Sequence, residues 1–105
     1  LTAKECVLIK AEGYIHKIDQ ATIKYLKAFD NYCYIVTTSK TLLVPHTLKH
    51  TVAKLNSSNF IKTHRSYIVN KHHIISITQD KVILNNEPIP LSTANRSILL
   101  KLLQP

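Results

Sequence analysis

The stretch FIKTHRSYIVNKHH, residues 60–73, decides the fold and holds the densest group of polar side chains in the sequence. Hydrogen-bond donors alternate there with Phe60, Tyr67, Ile68 and Val69, whose side chains suit a core. This pattern predicts a surface loop anchored from beneath. Arginine's planar fork fits the O6 and N7 acceptors of guanine in the major groove, whereas lysine, serine and histidine suit phosphates. The stretch is therefore a candidate nucleic-acid site.

The charge of the chain favours a polyanionic partner. Fourteen Lys and Arg residues against six Asp and Glu give a formal net charge of +8. No Asp or Glu occurs between Asn31 and Gln79, a stretch that contains five of the six histidines. A phosphate backbone would meet no repulsive charge there. Charge alone leaves open the alternative of a generally basic surface that maintains solubility.

Size and composition limit the class of protein. A length of 105 residues predicts a single domain, and 45% hydrophobic with 19% charged residues is typical of a folded globular chain. No apolar run approaches the roughly 18 residues that cross a bilayer, and the first residues do not resemble a signal peptide. We expect a cytoplasmic domain without membrane contact. Because the sequence lacks methionine, we expect it to be part of a longer protein, its C-terminal part.

Neither cysteine nor histidine spacing indicates a metal site. Cys6 and Cys33 are far apart and form no Cys-x-x-Cys motif, so a zinc knuckle or thioredoxin-like site is excluded. We expect two reduced, core-forming thiols, and a redox role for Cys33 stays open. His72 and His73 are adjacent, and adjacent side chains on a strand point to opposite faces. The sequence predicts no metal and no cofactor.

Short β-branched segments separated by polar turns predict a mainly β fold with short helices. We expect strands at residues 5–10, 14–18, 22–27, 32–38, 41–44, 60–63, 73–78, 81–84 and 88–91. Turns are predicted at residues 12–13, 30–31 and 39–40, and a hairpin turn at Asn85-Asn86. With a single glycine in the chain, asparagines are expected to form several of these corners.

Two helices are predicted. Pro45 suits a helix start, and Leu48, Val52 and Leu55 recur at i, i+4 and i+7, which predicts a helix that ends near residues 56–58. A second helix is expected over residues 93–103, with Ser92 as its N-cap. The predicted order is strands, helix, strands, helix.

The run FIKTHRSYIVNKHHI, residues 60–74, closely resembles the signature of the LytTR family, an F-x-x-x-H-R-S-Y-hydrophobic-V-N core followed by an isoleucine strand. Residues 23–55 resemble the family's strand, Asn-Tyr loop, strand and short helix. Residues 81–103 resemble its closing hairpin, serine-containing loop and terminal helix. The resemblance covers about residues 22–103, and the initial strands match more loosely.

The resemblance implies an elongated, mostly antiparallel β-fold whose loops, rather than a recognition helix, enter successive major grooves of duplex DNA. Three loops hold the family's DNA contacts, and they match residues 30–33, His64-Arg65 and residues 92–96 here. The second match is complete. In the third, family members commonly have an arginine directly after the serine or one position further, where this chain has Thr93 and Ala94.

The resemblance and the side-chain chemistry together predict the DNA-binding residues. Arg65 and Asn31 are expected to contact base edges, while Lys62, Lys71 and His72 hold phosphates. The full predicted set is Asn31, Lys62, His64, Arg65, Lys71, His72, Thr93, Asn95 and Arg96.

Three polar residues of the motif have structural alternatives that stay open. His64 and Ser66 are equally suited to satisfying backbone groups of the turn, and Asn70 to bracing the chain rather than contacting a base.

The resemblance implies the output domain of a bacterial two-component response regulator. Such a domain binds direct repeats in promoter DNA as two side-by-side copies and follows an upstream receiver domain. No enzyme is expected, because a metal-dependent nuclease needs carboxylates that the acid-free stretch does not offer. A non-catalytic module that binds RNA or protein is the alternative. RNA-binding modules usually expose aromatic side chains, whereas the tyrosines here are scattered through predicted strands.

Overall fold

The computed structural model describes residues 5–104, which form ten strands and two α-helices. The strands are β1 (Cys6–Ala11), β2 (Tyr14–Asp19), β3 (Ile23–Phe29), β4 (Tyr32–Thr37), β5 (Thr41–Val44), β6 (Phe60–His64), β7 (Tyr67–Asn70), β8 (Ile74–Ile77), β9 (Lys81–Leu84) and β10 (Glu87–Pro90). The helices are α1 (Leu48–Val52) and α2 (Thr93–Leu103). The predicted mainly β fold with short helices is confirmed.

All strand pairs are antiparallel and form three sheets. Their strand orders are β1-β2, β5-β4-β3-β7-β6 and β10-β9-β8. The described residues extend over 39 × 32 × 24 Å. The five-stranded sheet is the centre of the molecule, and the other elements cover its two faces.

The central sheet lies between two hydrophobic clusters because successive side chains of a strand point to opposite faces. On one face, Leu26, Ile35 and Ile68 pack with the β1–β2 hairpin and with α1. On the other face, Ile61 and Val69 pack with the three-stranded sheet and with α2. Both layers depend on the same central strands, so the sheet holds every covering element in place.

The stretch at residues 60–73 is a β-hairpin, which corrects the predicted single strand followed by a loop. The missed strand is β7, which lies between β3 and β6. Its Ile68 and Val69 point to opposite faces and are both buried, at 7% and 0% exposure. A strand covered on both faces is a continuous apolar run without polar alternation, so the period-2 signal of a strand is absent.

Both predicted helices are present, but only α2 has the predicted bounds, because α1 begins at Leu48 rather than at Pro45 and ends at Val52 rather than near residues 56–58. Helix α1 packs its Leu48 and Val52 against the first cluster, although it is shorter than predicted, with Thr47 as N-cap. Helix α2 covers the predicted residues, and the Ser92 side chain accepts a hydrogen bond from Asn95 N. Local capping chemistry therefore sets where α2 begins.

Tight corners use a left-handed backbone at four residues of the described chain. Gly13 (φ 84°) and Asn86 (φ 67°) are two of them, and all four lie at predicted turns. The other two are Glu12 (φ 55°) and Asp30 (φ 56°). The expectation that asparagines form several such corners is therefore correct only at Asn86.

A polar bridge joins the central sheet to β10. Lys24 Nζ donates to Glu87 Oε1 at 2.8 Å, and Tyr25 Oη donates to Glu87 Oε2 at 2.7 Å. The hydrogen bond from Lys24, followed by that from Tyr25, lowers the pKa of the Glu87 carboxyl because both stabilise its charged form. Burial, and then the hydrogen bond to this carboxylate, raises the pKa of Tyr25.

We expect Glu87→Gln to lower the free energy of unfolding at neutral pH and to lower it by a smaller amount in acid. The folded-state pKa of Glu87 lies below the unfolded value of about 4.3, so its stabilising contribution is complete above that value. The contribution is lost as the pH falls through the folded-state pKa. Urea unfolding of both proteins at about pH 7 and about pH 3 checks this. A difference that stays constant between the two pH values would contradict the prediction.

Candidate nucleic-acid interface

The first two predicted loops lie side by side at one end of the central sheet. The turn at residues 30–31 joins β3 to β4, and the turn at residues 65–66 joins β6 to β7. Lys27 of β3 pairs with Tyr67 of β7, and Ala28 N donates to Ser66 O at 2.8 Å. Because neighbouring strands are about 4.8 Å apart, the centres of the two turns are about 10 Å apart. We call this end of the sheet the loop end.

The third predicted loop reaches the loop end through β6. Ser92 N donates to Thr63 O at 2.8 Å, which holds the start of α2 beside the strand that leads into the second loop. The order across the end of the sheet is therefore the 30–31 turn, the 65–66 turn and the 92–96 segment. The structure brings all three loops of the sequence prediction into one row.

Arg65 is the exposed first residue of the two-residue turn between β6 and β7. It makes no hydrogen bond or ion pair with any residue of the range 5–104; the ion pair there joins Lys24 to Glu87. Its guanidinium is therefore free to bind a planar pair of acceptors from outside the molecule.

His64 braces the Arg65 turn. Its Nδ1 accepts a hydrogen bond from Ser66 N at 3.1 Å, and its ring meets Tyr67 edge-on with centroids 5.8 Å apart. The structural alternative that the sequence left open for His64 is confirmed. Because Nδ1 is the acceptor, the neutral ring carries its proton on Nε2, which leaves that nitrogen as a donor.

Asn31 is the exposed second residue of the 30–31 turn, and it follows Asp30, whose backbone is left-handed. Two aromatic residues flank this turn, Phe29 at 51% exposure and Tyr32 at 45%. Phe29 is not among the DNA-binding residues predicted from the sequence, although an aromatic residue directly before a predicted turn at a sheet end is a usable signal. The first loop therefore offers an amide between two apolar surfaces.

The 92–96 segment is less open than the other two loops. Ser92 Oγ accepts from both Asn95 N at 3.2 Å and Asn95 Nδ2 at 2.7 Å, so the Asn95 side chain is engaged within the cap. Thr93 is exposed. Arg96 is half-buried, and its Nε is buried without a hydrogen-bond partner among the described residues.

The three residues predicted to bind phosphates lie at different places along the central sheet. Lys62 is exposed in the middle of β6. Lys71 and His72 follow the far end of β7, roughly 15 Å from the Arg65 turn at about 3.3 Å per strand residue. There Lys71 N donates to Asn59 O, and His72 Nε2 lies 3.1 Å from Asn59 Oδ1. The structure does not bring Lys71 and His72 to the loop end.

Asn70 braces the chain, which is the structural alternative that the sequence left open for this residue. It is 2% exposed, its Nδ2 donates to Ile23 O at 2.9 Å, and its Oδ1 accepts from His72 N at 3.0 Å. Cys33 is also buried, and burial raises the pKa of its thiol. Within residues 5–104, no three His, Cys, Asp or Glu side chains converge as a metal site requires.

Comparison with known proteins identifies the family. The family model described as the LytTr DNA-binding domain matches residues 13–104. The chain belongs to the LytTR family. A solved structure of a LytTr DNA-binding domain from Bacillus cereus, from a putative methyl-accepting/DNA response regulator, is 28% identical, with a TM-score of 0.78. The match covers 94% of this chain and 96% of that one.

This chain also resembles part of a longer protein. The sensory transduction protein LytR of Staphylococcus epidermidis is 39% identical over 69 residues, which are 66% of this chain and 27% of that protein. The LytTR domain described here is thus a DNA-binding domain of the kind found in bacterial response regulators of two-component systems. The family is one of binding domains that serve transcription regulation. The helices within residues 5–104 are too short or too polar to cross a membrane.

Proposed function

We propose that this LytTR domain binds duplex promoter DNA sequence-specifically by inserting the turns of its loop end into the major groove. The observation that carries the proposal is the exposed Arg65, held at the tip of a braced two-residue turn with no partner among the described residues. A guanidinium in that setting suits the O6 and N7 acceptors of guanine.

The proposed roles of the side chains follow from their positions. Arg65 and Asn31 contact base edges, and His64 holds the Arg65 turn while its Nε2 donates to a phosphate. Lys62 and the exposed Thr93 contact the backbone. The half-buried Arg96 is proposed as a supporting contact at the start of α2. Because the three loops form a row longer than the roughly 12 Å width of one major groove, the 30–31 and 65–66 turns share the groove and the 92–96 segment meets the backbone or the next groove.

We further propose how the domain acts in its complete protein. It forms one domain of a cytoplasmic regulator, follows a receiver domain and pairs with a second copy on direct repeats. The similarity to LytR of Staphylococcus epidermidis, of which the matched region covers 27%, supports a longer parent chain. The net charge of +8 supports pairing on DNA rather than in free solution, because DNA neutralises the repulsion between two basic copies.

Selection of bound sequences from a pool of random duplex DNA tests the proposal. We expect enrichment of a short motif in two copies, separated by about one helical turn or a multiple of it. A parallel selection with Arg65→Ala is the control, and we expect it to lose the guanine preference of the motif. Failure of the unchanged domain to enrich any motif would contradict sequence-specific recognition.

One observation favours a second candidate, binding to single-stranded RNA. The exposed Phe29 and Tyr32 at the loop end are available to stack on unpaired bases. Competition between labelled duplex DNA and unlabelled single-stranded RNA at physiological salt separates the two functions. We expect duplex DNA to compete at lower concentration, and the opposite order would favour RNA.

A further inference from the structure

A fourth segment lies at the loop end, and no sequence motif indicates it. Cys33 pairs with Val44, which brings the end of β5 beside the start of β4 and thus next to the 30–31 turn. The chain then turns from β5 into the first residues of α1, and we call residues 45–50 the corner. The helix leads to the opposite end of the sheet, where Asn56 N donates to Gln20 Oε1 at 2.8 Å. The corner is therefore at the loop end, and the residues after α1 are not.

The corner presents three basic or donor side chains to solvent. His46, Lys49 and His50 are all exposed, and the two imidazole centroids lie 4.5 Å apart with the rings tilted by 32°. None of the three has an acidic partner among the described residues. Because neither ring has an acidic partner among the described residues, each is available to donate a hydrogen bond to a separate oxygen.

Two acidic residues lie on segments next to the corner, and neither forms an ion pair with Lys49 within residues 5–104. Glu12, from the β1–β2 turn, accepts a hydrogen bond from Leu43 N at 3.1 Å and is occupied at the edge of β5. Asp30 is in the neighbouring turn. Lys49 therefore keeps its positive charge without an ion-pair partner among the described residues.

The spacing of the strands indicates what the corner meets. At about 4.8 Å per strand, β5 lies about 7 Å beyond the 30–31 turn and about 17 Å from the Arg65 turn. A major groove is about 12 Å wide, so it accommodates the two turns but not the corner as well. The corner then faces the phosphate backbone at the rim of the groove.

We propose that His46, Lys49 and His50 form a fourth DNA contact that holds phosphates on the side of Asn31 away from Arg65. This inference rests on the proposed function, since it assumes that DNA lies against the loop end. It adds a sequence-independent contact to the base contacts of the two turns.

The test compares two lysines at the two ends of α1. Lys49→Ala and Lys54→Ala remove the same charge from exposed positions, one at the corner and one after the helix at the opposite end. The probe is a mixed-sequence duplex of about 30 base pairs, titrated at several salt concentrations. We expect Lys49→Ala to weaken binding several-fold and to reduce the salt slope by about 0.9, as loss of one phosphate contact does. Lys54→Ala is expected to leave both unchanged.

The double variant His46→Ala with His50→Ala supplies a second measurement, with an expected loss of affinity and unchanged thermal unfolding. Equal effects of Lys49→Ala and Lys54→Ala, or an unchanged double variant, would overturn the fourth contact. Arg65→Ala, titrated against the selected site and against a scrambled duplex, separates the hypotheses. If it removes sequence preference while Lys49→Ala has no effect, the proposed function stands and the fourth contact fails.

Discussion

Arg65→Ala is expected to lower the affinity of the domain for its selected duplex site by about 5- to 150-fold, which corresponds to about 1–3 kcal/mol. The guanidinium has no partner among residues 5–104, so its removal costs no folded-state interaction there. The free energy of unfolding should therefore stay unchanged. Fluorescence anisotropy with the selected site and with a scrambled duplex, together with urea unfolding, checks both expectations.

Arg65→Lys is the matched control for this experiment. It keeps the positive charge and loses the planar fork, so we expect near-normal affinity for scrambled DNA and a weakened preference for the selected site. If Arg65→Ala bound both duplexes as tightly as the unchanged domain, Arg65 would not contact bases. The base contacts would then have to come from the 30–31 turn or the start of α2.

Asn70→Ala is expected to destabilise the domain by about 3 kcal/mol or more. The substitution removes the partners of Ile23 O and His72 N, and each buried group left without a partner costs roughly 1–3 kcal/mol. It also removes the hydrogen bond that joins the end of β7 to the first residue of β3, so the loss is not confined to one strand end. Urea unfolding at neutral pH measures the change.

Asn31→Ala is the control for Asn70→Ala because the two residues are chemically identical and differ in position. Asn31 is exposed at the loop end, whereas Asn70 is 2% exposed. We expect Asn31→Ala to leave the free energy of unfolding unchanged and to weaken DNA binding. Equal stability of the two variants would contradict the bracing role of Asn70.

Features that depend on near neighbours in the chain are predictable from the sequence. The start of α2 at Ser92 follows from one cap side chain, and the Asn85-Asn86 turn from a residue that tolerates a left-handed backbone. The motif around Arg65 identifies the family, and with it the DNA partner, before any coordinate is known. These conclusions need no information about which strands pair.

Features that depend on strand pairing are decided by the tertiary structure. The four residues of β7 carry Lys71 and His72 to the far end of the sheet, although they are close to Arg65 in sequence. The pairing of β4 with β5 brings His46 beside Asn31, from which it is separated by a strand, a turn and a second strand. The burial of Asn70 requires the carbonyl of Ile23, far away in the chain.

By itself, the sequence determined the β-rich class, the presence of two helices, the family and the motif around Arg65, because capping, turn and motif chemistry act over a few residues. Only the tertiary structure decided that three loops and the β5–α1 corner share one end of a sheet. Antiparallel pairing decides which ends of non-adjacent strands meet. Burial on both faces of the sheet fixes the register of that pairing.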